Sequence, residues 1–222
     1  MRVGIIGITG KIGAILTQLV GCTNLMGGIS GNSSETDLNN LAAKCNVFID
    51  FSLPSATVKA AQVAADYGVA FVSGTTGLSE NELQILRDCA RKIPVLRADN
   101  FSIAVQLVAK LLRESSEILR DFDFSIVERH HCHKKDSPSG TARFLASQVS
   151  QKAQIASLRV GNLCGEHECA FTNANEEITI AHRSFNRAIF AQGALQCAHW
   201  IVERAPGFYT MEDFLNSSFN QA

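Results

Sequence analysis

Three of this chain's six histidines, His130, His131 and His133, fall within four positions. Lys134 and Lys135 follow at once, and then the run Ser137-Pro138-Ser139-Gly140-Thr141-Ala142. Imidazoles take up and release protons near neutral pH. Ammonium groups attract carboxylates, and a hydroxyl-rich run that opens a helix offers a capping oxygen and N–H groups to an anion. Such a set suits a small, negatively charged substrate that must also receive a proton. A solvated basic turn would use similar residues, and two imidazoles around Cys132 resemble zinc ligands. The flanking lysines would repel a cation, however, and no C-x-x-C or H-x-x-x-H spacing occurs elsewhere, so no metal is expected. What favours catalysis is the order: imidazoles, an ammonium, then a hydroxyl–glycine–hydroxyl cap. Solubility requires no such order.

Several elements must position this cluster. Residues 122–127 alternate large apolar with polar side chains, as a half-buried strand does. Residues 143–149 read as a helix, with Ser139-Gly140-Thr141 at its N-terminus. Far upstream, residues 2–6 form a short apolar run, and Gly7-Ile8-Thr9-Gly10-Lys11-Ile12-Gly13 follows it into a helix carrying Ile15, Leu16, Leu19 and Val20. Strand, glycines and helix in that order are the context of a dinucleotide fingerprint. Gly7 serves the tight turn, Gly10 the approach of a pyrophosphate, and Gly13 the packing of helix on strand.

Strands at 24–29, 46–51, 69–73 and 95–97 alternate with helices from there to residue 100. A small helix is expected near residues 37–44. Pro54 and Gly68 punctuate the next helix, and Ser79 with Glu82 forms a capping box for another. This rhythm predicts a doubly wound parallel sheet with ligands at the carboxyl ends of its strands. Residues 103–119 read as a helix with Ile103, Leu107, Leu111 and Ile118 near one face. Period-two runs at 159–163, 168–172 and 177–184 then predict a mixed or antiparallel sheet. A last helix from residue 187 bears Ala191, Leu195, Ala198 and Val202.

Composition bounds the function. With 46% hydrophobic and 18% charged residues and a net charge of −1, the chain lacks the basic surface of a nucleic-acid binder. Seven cysteines stand singly, which argues for free thiols in a reducing cytosol. No apolar run approaches the roughly twenty residues of a membrane helix, and the chain opens on a strand without room for a signal peptide. A cytoplasmic location is expected.

The series Glu128, His130, His131, Lys134, Asp136, Pro138, Ser139, Gly140, Thr141, Ala142 closely resembles the signature of the dihydrodipicolinate reductases of bacterial and plant lysine biosynthesis. Gly74-Thr75-Thr76-Gly77 and Asn100-Phe101-Ser102 match that family's segments at the nicotinamide and its carboxamide. Phe51-Ser52 stands where the family contacts the cofactor. The resemblance covers nearly the whole chain. It implies NAD(P)H-dependent reduction of 4-hydroxy-tetrahydrodipicolinate to tetrahydrodipicolinate, in a homotetramer.

The implied fold is α/β: a Rossmann-like doubly wound domain at 1–101, completed by about 193–222, and an α+β substrate-binding and oligomerisation domain with a mixed sheet at 102–192. Implied cofactor contacts are Gly7, Gly10, Lys11, Ile12, Gly13, Phe51, Gly74, Thr75, Thr76, Asn100 and Phe101. His130 and Lys134 are the implied catalytic pair, and either could deliver the proton. His131, Ser139, Gly140 and Thr141 would hold the dicarboxylate substrate. The family's acidic–basic pair after the second strand is replaced here by Ser30-Gly31-Asn32-Ser33-Ser34. Those hydroxyls and amide with Lys11 suit a 2′-phosphate, so NADPH is expected over NADH. Two rival readings are a nucleotide-sensing module without turnover and an aldehyde dehydrogenase using Cys132 as nucleophile.

Overall fold

A computed structural model describes residues 1–219. The chain opens with β1 (Val3–Ile6), α1 (Lys11–Val20), β2 (Leu25–Ile29), α2 (Glu35–Ala42), β3 (Val47–Asp50), α3 (Pro54–Tyr67), β4 (Ala70–Ser73), α4 (Glu80–Cys89) and β5 (Pro94–Arg97). It continues through α5 (Ile103–Ile118), β6 (Asp123–His130), α6 (Gly140–Ala146), β7 (Gln154–Arg159), β8 (Gly165–Thr172) and β9 (Glu177–Ser184). It ends with α7 (Ala188–Ile201), β10 (Gly207–Tyr209) and α8 (Met211–Phe219). Two compact units result: Met1–Phe101 with the chain from Ala188 onward, and Ser102–Arg187.

In the first unit β1, β3 and β4 are buried at every position, as strands of a parallel sheet covered on both faces should be. The described strands run in the order β10-β5-β4-β3-β1-β2, all parallel. Helices α2, α3 and α4 share a core with Phe48 and Phe71. α7 packs beside α1 against β3, β4 and β5. Pro54 opens α3 and Gly68 closes it in the left-handed conformation. Capping boxes start α4 at Ser79 and Glu82, as expected, and α2 at Ser34 and Asp37. Gly7 has φ +82°, and a Cβ at Gly13 would lie 2.2 Å from the Gly7 carbonyl oxygen, so both positions need glycine.

The second unit packs α5 and α6 on a four-stranded sheet of order β7-β6-β8-β9. β6 and β7 are parallel and the other pairs antiparallel, which makes the sheet mixed.

Several sequence expectations shift. The first strand after α6 covers 154–159, not 159–163, because Gly161 at φ +51° turns the chain there. α6 starts at its Ser139 cap and ends by residue 146, three residues earlier than the periodicity suggests. α5 buries Val105, Val108, Ala109, Leu112 and Ser116 and leaves Leu107, Leu111 and Ile118 exposed. Its narrower valine–alanine stripe fits the sheet-side core that it joins. The second unit closes at Arg187 rather than 192, since α7 packs on the first unit's sheet along its length. The expected return of the chain to 222 runs three residues past the described ones. β10, unforeseen, adds a sixth strand beside β5.

Candidate active site

The burial of β6 alternates at every position, so Phe124, Ile126, Glu128 and His130 share its inner face. Register carries this alternation across the sheet. One row is Ile155, Ile126, Cys169 and Ile180; the next is Ser157, Glu128, His167 and His182. Beyond it, Arg159 pairs with His130. The inner face thus changes within two rows from hydrocarbon to imidazole, carboxylate and guanidinium. Continuing the β6–β8 ladder sets His130 opposite Gly165, where a Cβ would lie 3.0 Å from His130 Nε2. Gly165 leaves that nitrogen room.

Glu128 is fully buried and holds the site together. It accepts a hydrogen bond from His130 Nδ1. Arg159 donates to both of its oxygens, at 3.0 and 2.8 Å, and the Ser139 N–H donates at 3.2 Å. Burial pushes the Glu128 carboxyl up, but hydrogen bonds from Arg159, Ser157 and His130 outweigh it and hold the group at about 2. Its bond to Nδ1 orients the His130 ring and directs Nε2 away from Glu128. For His130 itself, burial lowers the pKa, Glu128 raises it, and the Lys134 and Arg159 cations lower it, leaving it below the usual imidazole value.

β6 stops at His130, so His131 and His133 lie beyond the strand, with ring centroids 6.4 Å apart. Lys134 pairs with Asp136 at 2.7 Å and is one-fifth exposed. Ser139 is committed inward. Its N–H serves Glu128, and its hydroxyl accepts from Ala142 N and sits 3.3 Å from His167 Nε2. Gly140 and Thr141 are exposed and half-exposed, and the Gly140 N–H donates to the Asp136 carboxylate, so the expected anion grip is occupied by that side chain here. Cys132 is exposed in the turn and belongs to no helix's first turn, where a thiol would be activated. Among the described residues no group of three or more His, Cys, Asp or Glu is placed to hold a metal.

The other expected residues gather at the carboxyl ends of the first unit's strands. Gly10 caps α1 without a side-chain hydrogen bond, and no acidic residue occupies its first turn. Lys11, Ile12 and Gly13 therefore present the positive helix end that a pyrophosphate requires. The Phe51 ring meets Phe101 edge-on, 5.7 Å between centroids. Asp50, which no sequence motif marks, lies buried between the loops. It accepts from Ser52 N and Oγ at 3.1 and 2.5 Å, and from the Thr57, Ser73 and Thr75 hydroxyls at 2.7, 2.7 and 3.0 Å. Thr75, expected at the cofactor, thus points its hydroxyl at Asp50. A dinucleotide fits this end of the sheet: a glycine turn, an uncapped helix start and an aromatic pair lie at its strand ends.

In the loop after β2, Ser33 Oγ accepts from Ser30 N, and Ser34 caps α2. Two hydroxyls expected to meet a 2′-phosphate are thus occupied by the loop itself. Glu128, Arg159, Gly165 and Asp50 are site residues to which sequence reasoning assigns no role. The period-two pattern, carried to the end of β6, is the signal that sets Glu128 and His130 on one face.

The family model for the dihydrodipicolinate reductase N-terminus matches residues 1–101, and that for its C-terminus matches 104–215. A 4-hydroxy-tetrahydrodipicolinate reductase of Thermosipho africanus is 36% identical over 99% of this chain and 100% of its own length. One of Gluconobacter oxydans is 38% identical over 96% of each. A solved structure, dipicolinate-bound dihydrodipicolinate reductase from Paenisporosarcina sp. TG-14, superposes with a TM-score of 0.80 at 22% identity, covering 95% of this chain and 97% of that one. Two matched halves, together spanning nearly every residue, place this chain in the dihydrodipicolinate reductase family, the pyridine-nucleotide-dependent reductases.

Proposed function

We propose that this protein is a 4-hydroxy-tetrahydrodipicolinate reductase of diaminopimelate and lysine biosynthesis. The observation that carries this reading is the His130 imidazole, oriented by a buried carboxylate and set beside Lys134 and the start of α6. The bound nicotinamide nucleotide supplies the hydride. Gly7, Gly10, Lys11, Ile12 and Gly13 hold its pyrophosphate, and Phe51, Gly74, Thr75, Thr76, Asn100 and Phe101 line its nicotinamide end. Ser30, Asn32 and Lys11 favour NADPH over NADH. Lys134 leaves Asp136 for a substrate carboxylate, as a fixed cation where negative charge develops. Gly140 and Thr141 hold a carboxylate at the helix start, and His131 contacts the ring. His130 Nε2 gives up the proton that completes the reduction, and its imidazole recovers one from solvent.

The outer face of the second sheet fits contact between copies, in a tetramer. Val127, Ala156, Leu158, Ala170 and Ala181 alternate there with Arg129, which lies 3.8 Å from both Glu166 and Glu168. The location proposed is the cytoplasm; among the described residues no helix is long and apolar enough to cross a membrane.

The test is NADPH oxidation on adding the product of dihydrodipicolinate synthase. Losing the acid group should cost about 10²–10⁴-fold in His130→Gln, with a comparable loss in Lys134→Ala and little change in Cys132→Ser. Cofactor binding without turnover in the native chain would support the sensor instead. Loss of activity confined to Cys132→Ser would support the aldehyde dehydrogenase.

A further inference from the structure

His130 and Arg159 share one carboxylate. Glu128 accepts from the imidazole through one oxygen, and the guanidinium spans both of its oxygens from the neighbouring strand. Arg159 also donates to the Asp136 carbonyl at 2.7 Å, so one side chain ties β7 to β6 and to the loop that carries Lys134. A carboxylate facing an imidazole alone favours the imidazolium strongly and makes it a poor proton donor. A cation on the same carboxylate cancels much of that pull.

We propose that Arg159 is a positioning residue of the reaction: by sharing Glu128 with His130, it keeps the imidazole's hold on its proton weak enough for release near neutral pH. This rests on the reading of His130 as the acid.

The charged and titratable groups around His130 agree on this division of labour. Glu128 on β6 is the anion that touches it. Lys134 in the following loop and Arg159 on β7 are the cations that act on it. His167 on β8 meets the ring edge-on at 5.3 Å, with His182 on β9 behind it at 6.2 Å. The two cations are equally exposed, at about one-fifth; Lys134 pairs with Asp136, whereas Arg159 bonds directly to the carboxylate that His130 uses. A residue whose only duty is to brace the fold would have no reason to act on the proton of His130 in particular.

Removing the two partners of one ion pair should therefore shift His130 in opposite directions, which loss of packing would not do. In the full-length chain labelled at histidine, the imidazole resonances assigned to His130 by their absence from His130→Gln are followed by NMR across pH. Arg159→Met should raise the His130 midpoint by about one pH unit, Glu128→Gln should lower it, and Arg159→Lys should restore it toward the native value. An unchanged or lowered midpoint in a natively folded Arg159→Met overturns the proposal. Should that chain lose its native spectrum, Arg159→Gln carries the same expectation, and a midpoint that fails to rise there overturns it equally.

The pH dependence of kcat/KM separates this inference from the proposed function. A falling limb that moves with the NMR midpoint supports both. A midpoint that moves while the limb stays fixed leaves the action of Arg159 on His130 standing and removes His130 as the acid.

Discussion

His167 titrates at about 4, because burial disfavours its charge and the His130, His182 and Lys134 groups add to that effect. In the unfolded chain the same ring titrates near 6.5. The folded protein therefore refuses a proton that the unfolded chain binds between these values. Neutral His167 contributes stability that is complete above about pH 6.5 and lost as pH falls to about 4, on the order of 3 kcal/mol in all. His130 and His182, also held below their ordinary value, act in the same direction. Glu128 adds a loss lower down, since its contribution is present above about 4.5 and disappears toward 2. We expect the thermal midpoint to drop steeply between pH 6.5 and pH 4 in circular-dichroism melts, and to drop less in His167→Phe. Parallel curves for the two chains would assign the acid sensitivity to other groups. The sequence signals only part of this, since His182 belongs to a period-two run while His167 directly precedes one, and only the register shows that they line up behind Glu128.

Among the elements, the ends of β3 and β4 depend on Asp50. Burial pushes its carboxyl above the usual range, against the hydrogen bonds from Ser52, Ser73, Thr57 and Thr75. Asp50→Leu would strand those donors, and each buried one left unpaired costs about 1–3 kcal/mol. A total near 3 kcal/mol would lower the midpoint by roughly 6–12 °C in a chain of this size. Milder still, Thr75→Val removes one donor and frees the loop, so NADPH affinity measured by fluorescence titration should fall while dipicolinate affinity holds. Equal loss of both would make Asp50 a general brace rather than an organiser of the cofactor loops.

The sequence discloses the alternating strands and helices of the first unit because glycine, proline and capping boxes mark their ends. It discloses less of the second unit. Gln154–Arg159 is half polar and carries no such punctuation, so the pattern puts the strand five residues late and makes Arg159 its first residue rather than its last, out of register with His130. The α5 stripe misleads for a related reason: periodicity weighs large side chains, while the core takes the valine and alanine face. Ser34 is a third case. Its neighbour in the capping box is Asp37 rather than the Glu or Gln of the common pattern, so its hydroxyl reads as a phosphate contact when it is a cap.

At the scale of the molecule, the first unit is made of two stretches of chain separated by residues 102–187. α7 and β10 come from the later stretch, yet α7 lies beside α1 and β10 borders β5. A chain cut after residue 187 would keep the second unit's sheet but leave β5 as an open edge and uncover the apolar side of β3 and β4. Such edges pair indiscriminately. We expect the 1–187 fragment to sediment with aggregates on expression, and a separately produced 188–222 segment to restore part of it to the supernatant. A fragment that remained monomeric and bound NADPH unaided would contradict this.

β10 thus carries a consequence for biogenesis. The nucleotide half is begun before residues 102–187 and resumed after them, so while those residues are made the nascent chain holds an incomplete sheet although its middle can already close on itself. The arrival of α7 and β10, rather than emergence of the glycine turn, would be the moment at which the coenzyme can first be held.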